Sequence, residues 1–445
     1  MIAELGDDSL EGFIYNIEAM NTLPVMFKRI LILTAAAVMG FAACILSMRV
    51  AGSWSFFPNR DLDKSSSYIR DVLKTVNENY VDPNSANYDS LTKLSLHGMV
   101  DSLDPHSEYL ESKDNQELEE DLDGEYGGIG VEVEMHNGAF SVISPIPGSP
   151  GDKAGIRLGD EIETIDGKAV VQGVPMDSVV DKLRGKPHTH VRVTLLRPSD
   201  GRHLDLDLER EVIKVESVRG ARIFDGSTGY IQIVDFSDHT GEQFDDALND
   251  LIKKGIDSLV IDMRNNPGGL LDAAVEVAEP FFKKGDLIVY TEGRKPADKE
   301  TYLSETEGDP LRMPVAILIN GDTASAAEIV TGALKDSCGA VVVGERSYGK
   351  GSVQTIFKLK NGEGLRLTTA HYFTPSGAMI NAHGVTPQVE VVMTQDEDRE
   401  IERQVSRPDI TDPADFKERF GFTPIEDRQL DAALDVLKAA RSFTR

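Results

Sequence analysis

The chain has 445 residues, about three times the usual single-core length, so roughly three domains are expected. Hydrophobic residues at 40% and charged residues at 27% exclude a disordered or collagen-like chain, and a net charge of −29 opposes general binding to nucleic acid. Two cysteines, Cys44 and Cys338, rule out a disulfide framework, and nine histidines without an HExxH or a Cys/His cluster give a zinc site no support. The first feature along the chain is Ile30–Met48, nineteen residues without a charge, behind Lys28-Arg29 and before Arg49. That length spans a bilayer core, and the basic pair holds its N-terminal end inside. Read from Met26, the stretch also fits a secretory signal, with a loose lipoprotein-type pattern ending at Cys44. Residues 1–29 then read as a cytoplasmic tail or an overextended start, and the remainder as exported.

Ile69, Val72, Val76 and Tyr80 predict a helix, and Leu91, Leu94 and the region to Leu103 a second one. Glu111–Glu125, with eight acids against one lysine, reads as a solvated linker. Short strands follow at Val131–Met135, Glu161–Ile165, His190–Leu196 and Leu204–Leu208, with one helix at Pro175–Leu183, which together define a small β-rich module. From Tyr230 the rhythm changes. Strands at Tyr230–Phe236, Ser258–Met263, Leu287–Tyr290, Val315–Ile319 and Ala340–Val343 alternate with helical patterns at Phe244–Leu251, after Gly269 and from about Thr323. This alternation predicts an α/β layer with parallel strands. Ser352–Phe373 reads as two strands, and Leu430, Leu434 and Leu437 as an amphipathic tail helix.

Two loops carry chemistry. In Ile319-Asn-Gly-Asp-Thr-Ala-Ser325-Ala-Ala-Glu328 a strand ends and a helix begins near Ser325, a turn that presents a hydroxyl beside free backbone N–H groups. The same residues match a capping box, in which the serine only satisfies helix amides. In Gly344-Glu-Arg-Ser-Tyr-Gly349-Lys350-Gly351-Ser352 the pattern G-x-x-x-x-G-K is complete. Gly351 stands where a magnesium-holding Ser or Thr belongs, however, and a strand follows where a helix is required, so a phosphate loop is disfavoured. A lysine serves as general base to a serine only if burial lowers its pKa from about 10.4 to ~7–8. His239, His371 and His383 are the alternative bases.

The segments TASAAEIVTGALKD around Ser325, SYGKGSVQ around Lys350, RNNPGGLLDAA from Arg264, DPHSEYL at Asp104–Leu110 and GLRLTTAHYFTPSGAMINAHGVTPQVEV resemble the carboxy-terminal processing proteases. The resemblance runs from about Ile69 to the C-terminus. It implies a serine endopeptidase with Ser325 as nucleophile, Lys350 as general base, and Gln354 as the glutamine that positions the lysine. Gly268, Gly269 and Ala326 match the region whose amides form the oxyanion hole. Gly127-Gly128-Ile129-Gly130-Val131 and AGIRLGDEIETIDGK at Ala154–Lys168 resemble a PDZ domain. That likeness puts a carboxylate loop at Gly128, Ile129 and Gly130, a peptide strand along Val131–Val133, and a side-chain pocket at Val179, Val180 and Leu183. Pro187-His-Thr-His190 and Gly377-Ala-Met-Ile380 depart from the usual family sequence, neither at a catalytic position.

The expected architecture is an α+β and α/β multidomain chain. Its parts are a membrane segment at 30–48, a helical region at 62–118, a PDZ module at 119–211, a protease core at 212–392 and a helical tail at 393–445. The resemblance implies no cofactor and no metal. It implies protein substrates with nonpolar C-termini, and with the segment at 30–48 it gives a catalytic part in the periplasm of a bacterial envelope, anchored at the inner membrane or exported. A homo-oligomer and an adaptor protein are both compatible with the family. The competing reading is a PDZ scaffold without catalysis.

Overall fold

The computed structural model describes residues 60–444 apart from 137, 172, 408 and 409. The apolar stretch 30–48 and Cys44 lie outside the described residues; among those described, no helix is long and apolar enough to cross a membrane. The chain divides into two compact units, residues 1–95 and 96–445. In the first, the helix Arg60–Asn79 sets Ile69, Leu73 and Val76 along one side, and Asn77 Nδ2 donates to the Ala86 carbonyl at 2.8 Å. The second helix, Tyr88–Val100, begins in this unit.

The larger unit is built on a six-stranded sheet in the order Val218–Phe224, Thr228–Ile233, Ser258–Asp262, Val315–Ile319, Val341–Gly344, Val389–Glu390. The first pair is antiparallel and the remaining pairs are parallel. Ser258–Asp262 and Val315–Ile319 are buried at every position, as strands covered on both faces must be. Alternate residues serve alternate layers. Ile231, Ile261, Ile317 and Ile319 pack with Phe244, Leu248, Ala274 and Val330 from the helices Thr240–Lys253, Leu271–Ala278 and Ala326–Ala333. On the opposite face Tyr230, Val260, Ala316 and Leu318 pack with Ile401, Val405, Ala433 and Leu437 from Gln395–Ser406 and Arg428–Thr444. Each buried valine, leucine, isoleucine or phenylalanine among them contributes about 1.5–3 kcal/mol by leaving water.

Charge ties the tail to the sheet. Arg264, buried, pairs with Asp262 at 2.6 Å and with Asp427 at 2.9 Å. Tyr230 donates its hydroxyl to the same Asp262 at 2.8 Å. A buried guanidinium is tolerated only when its donors are satisfied, and here the pairing fixes the start of the Asn265–Gly269 loop. A second sheet runs Glu108–Leu110, Gly364–Phe373, Leu287–Gly293, Glu300–Leu303, with Ser352–Lys358 also paired to Gly364–Phe373.

The β-rich module orders its strands Val131–His136, Ala139–Pro145, Glu161–Ile165, His190–Arg197, Arg202–Glu209, with the helix Met176–Leu183. Glu125–Gly128 pairs with Glu211–Lys214 to form its stem. Ala139–Pro145 is a strand the sequence reading did not recognise; its buried Phe140 and Val142 alternate with polar Ser141. The acidic stretch also needs correcting. Ser112–Asp123 is a helix, ended by Gly124 in the left-handed conformation. Its charges reach outward, Lys113 to Asp181 at 2.7 Å and Glu119 to Lys358 at 2.8 Å, while Leu118 and Leu122 line a cavity.

Candidate active site

The loop after Val315–Ile319 delivers Ser325 to the first turn of the helix Ala326–Ala333 with φ 54° and ψ −119°. Positive φ is costly for a side chain other than glycine, by about 1–3 kcal/mol, and must be held by its surroundings. Two neighbours hold it. Glu328 Oε2 accepts from the Ser325 N–H at 2.9 Å, the acidic half of the expected capping box. Gly268, at φ 96°, approaches so closely that a Cβ there would lie 2.5 Å from Ser325 Cβ.

Glu328 does more than cap. Fully buried, its Oε1 accepts from Ser347 Oγ at 2.5 Å and the Gly349 N–H at 2.7 Å, and its Oε2 also accepts from the Lys350 N–H at 2.8 Å. One carboxylate thus ties the serine turn to the lysine loop. Burial raises its pKa, opposed by the bonds from Ser347, Gly349, Ser325 and Lys350. The loop can approach this closely because a Cβ on Gly351 would lie 2.1 Å from the Asn381 nitrogen. A strand, Ser352–Lys358, follows Lys350, as the argument against a phosphate loop requires.

Lys350 is half-buried, and among the described residues its amine has no hydrogen-bond or ion-pair partner. Burial lowers its pKa, the Arg366 charge lowers it further, and Glu328 acts in the opposite direction. Ser325 and Lys350 line one cavity of about 770 Å³ with Gly268, Gly269, Ala326 and Gln354. They make no direct hydrogen bond; the buried Tyr372 lines the same cavity. Its hydroxyl donates to the Lys350 carbonyl. Burial raises the Tyr372 pKa well above its ordinary value, so it remains a phenol.

The expected amide donors are unequal. The Gly268 N–H is already donated to Asn266 Oδ1 at 2.8 Å, so the expectation of a free donor there is corrected. Among the described residues, the N–H groups of Gly269 and Ala326 have no partner, and both residues line the cavity. Gln354 Nε2 donates to Ser352 Oγ at 2.9 Å and Thr368 Oγ1 at 3.2 Å, and makes no bond to Lys350. None of the three alternative histidines lines the cavity. His239 lies 3.2 Å from Glu125, His383 bonds the Asn381 carbonyl at 2.7 Å, and His371 Nδ1 is buried without a partner.

In the β-rich module Val131–His136 is an edge strand. The N–H groups of Ile129 and Gly130 have no partner among the described residues, while Gly128 pairs with Glu211 in the stem. The expected side-chain pocket is corrected at two positions. Val179 and Leu183 are 0% and 5% exposed, packed into the module core with Ile129 and Phe140, which leaves Val180 as the half-exposed helix residue. Arg184, just past that helix, lies 4.4 Å over the Tyr126 ring, and both wall the cavity that holds Ser325. A larger cleft of about 1030 Å³ lies along Glu211–Glu216 and contains neither Ser325 nor Lys350.

A strained serine at a helix start, free amides beside it and a neighbouring β module are the parts of a serine-type peptidase with an attached β-rich domain. Residues 227–391 match peptidase family S41 and residues 141–197 match a PDZ domain. The chain is 39% identical over 332 residues to the carboxy-terminal-processing protease of Bartonella bacilliformis, covering 74% of this chain and 75% of that one. It is 36% identical over 365 residues to a probable CtpA-like serine protease of Staphylococcus aureus, covering 81% and 70%. A solved photosystem II D1 C-terminal processing protease shares 30% identity, with a TM-score of 0.43 over 73% of this chain and 92% of that chain. The chain belongs to the carboxy-terminal-processing proteases of family S41, and it is a serine-type endopeptidase.

Proposed function

We propose that Ser325 and Lys350 form the catalytic dyad, and that the PDZ module selects proteins by their nonpolar C-termini. The observation that carries this reading is the unpaired, half-buried Lys350 amine sharing a cavity with Ser325 and two free amides. A lysine without a carboxylate partner, desolvated and beside Arg366, is suited to being neutral, and only the neutral amine can accept a proton. Lys350 takes the Ser325 proton, and the serine oxygen attacks the peptide carbonyl. The Gly269 and Ala326 amides hold the oxyanion, and the lysine returns the proton to the leaving amine. Water then hydrolyses the acyl-enzyme. Closure of the Ser325–Lys350 distance accompanies substrate binding, since catalytic hydrogen bonds are often long in the free enzyme.

The PDZ reading rests on the free edge of Val131–His136 and the unpaired amides of Ile129 and Gly130. A peptide adds to the edge as a strand, and its terminal carboxylate takes the amides. Arg184 links the module to the catalytic cavity, so occupancy of the groove is coupled to assembly of the site. In this reading residues 30–48 are an inner-membrane anchor or an export signal, and the chemistry takes place in the periplasm of a bacterial envelope. A homo-oligomer or an adaptor protein fits the same reading.

The test uses the full chain and an unstructured protein ending in apolar residues, beside the same protein ending in two aspartates and a Ser325→Ala control. The apolar-tailed protein is expected to be cleaved about tenfold faster, with the control inert. Equal rates for both tails would remove the PDZ role, and cleavage by the control would remove Ser325.

A further inference from the structure

The segment Asp104–Glu108 is bolted to the strand Gly364–Phe373, next to the catalytic cavity. Glu108 and Arg366 face each other in register and pair at 2.7 Å. Ser107 Oγ accepts from the Thr368 N–H at 3.1 Å, and Thr368 Oγ1 donates to Asp104 Oδ1 at 3.1 Å. Asp104 also accepts from the N–H groups of His106 and Ser107 at 2.8 and 2.9 Å, and from Ser107 Oγ at 2.7 Å. Gln354 sits opposite Thr368 across the strand pair and donates Nε2 to Thr368 Oγ1 at 3.2 Å.

We infer that Asp104 and Thr368 are positioning residues that fix which end of the Gln354 amide faces the catalytic cavity. The inference rests on the dyad reading above. An ionised carboxylate can only accept, so the Thr368 hydroxyl must spend its one proton on Asp104. Its oxygen is then left to accept, and the only end of Gln354 that can donate to it is the NH₂. The amide nitrogen is thereby held at Thr368 and Ser352, and the amide oxygen is the end left without a partner among the described residues, in a cavity that Lys350 also lines. An oxygen there can accept an N–H from the lysine and orient the amine while its lone pair remains available for the serine proton. The reversed amide would present N–H donors, which would occupy that lone pair and block the base. Burial works against ionisation of Asp104, but the bonds from Ser107, His106 and Thr368 outweigh it and hold its pKa below the ordinary carboxylate value, so it stays an acceptor. Through this relay Asp104, which makes no hydrogen bond to Ser325 or Lys350 among the described residues, acts on the active site.

Thr368→Val keeps the side-chain shape and removes the hydroxyl, so it is the leading variant. The assay is steady-state cleavage of the apolar-tailed protein by the full chain, with Lys350→Ala alongside. Thr368→Val is expected to lower kcat about tenfold or more with KM within about twofold, as misorientation of a catalytic group does. Thr368→Ser, which restores the relay, is expected to recover most of that loss, and Asp104→Ala to resemble Thr368→Val. In a Gln354→Ala background neither change is expected to lower kcat further, because the group they orient is gone. Unchanged kcat in Thr368→Val, or a loss that multiplies fully with that of Gln354→Ala, would overturn the relay. If Lys350→Ala itself cleaves at the unmutated rate, the dyad reading has failed and the relay with it; an inert Lys350→Ala beside a fully active Thr368→Val would sink the relay alone.

Discussion

Replacing Lys350 with alanine is expected to lower kcat/KM on a protein substrate about 10⁴-fold, or roughly 5 kcal/mol of transition-state stabilisation. An unassisted serine hydroxyl is a poor nucleophile, and no imidazole lines the cavity to replace the base. The residual rate over water comes from the Gly269 and Ala326 amides and from substrate positioning, which the substitution leaves in place. Lys350→Arg is expected to be as inactive as Lys350→Ala, because a guanidinium is not deprotonated in a protein. Pre-steady-state measurement of acyl-enzyme formation separates this from a binding defect: acylation falls while substrate affinity is kept. A Lys350→Arg enzyme with near-normal acylation would show that the lysine acts by charge and not as a base.

Glu328→Ala is expected to affect stability and activity together. It leaves the amides of Ser325, Gly349 and Lys350 and the Ser347 hydroxyl without their acceptor at a fully buried site. An unpaired buried donor costs about 1–3 kcal/mol, and with relaxation a total of about 4 kcal/mol is expected. In a domain of this size that corresponds to a fall in Tm of about 10 °C. Activity is expected to fall by about 100-fold or more even well below Tm, because the strained turn at Ser325 and the loop carrying Lys350 lose their common tie. Glu328→Gln should lie between: one oxygen keeps two donors, while its NH₂ faces the other two. Thermal unfolding and kcat on the same preparations check this. A Glu328→Ala protein that melts normally and cleaves normally would show that the carboxylate is not what joins the two loops.

Much of the fold was legible because it depends on local pattern. Parallel strands buried on both faces carry continuous apolar runs such as Val315–Ile319, and the glycines around Lys350 announce close backbone packing. Contacts between distant segments were not legible. Glu328 reads locally as a capping acid, and nothing nearby in sequence indicates Ser347 or Gly349 as its partners. Tyr372, which bonds the Lys350 carbonyl, lies in a strand whose alternation gives no sign of its target. The pairing of Arg264 with Asp427 spans 163 positions. The acidic stretch reads as a linker because its charge count conceals the spacing of Leu118 and Leu122. Val179 and Leu183 read as pocket residues in sequence because an apolar helix face looks the same whether it lines a groove or fills a core.

The pH dependence of kcat/KM for the unmutated chain tests the central claim most directly. The active form carries neutral Lys350, so the rate should rise with pH through the lysine pKa and then level off. Burial and the Arg366 charge lower that pKa, which moves the rise toward neutral pH. The account predicts a single limb that has its midpoint below the titration of a free lysine, at about 10.4, and that is absent from any residual activity of Lys350→Ala. A rise still climbing through that free-lysine range, or a limb that persists unchanged in Lys350→Ala, would contradict it.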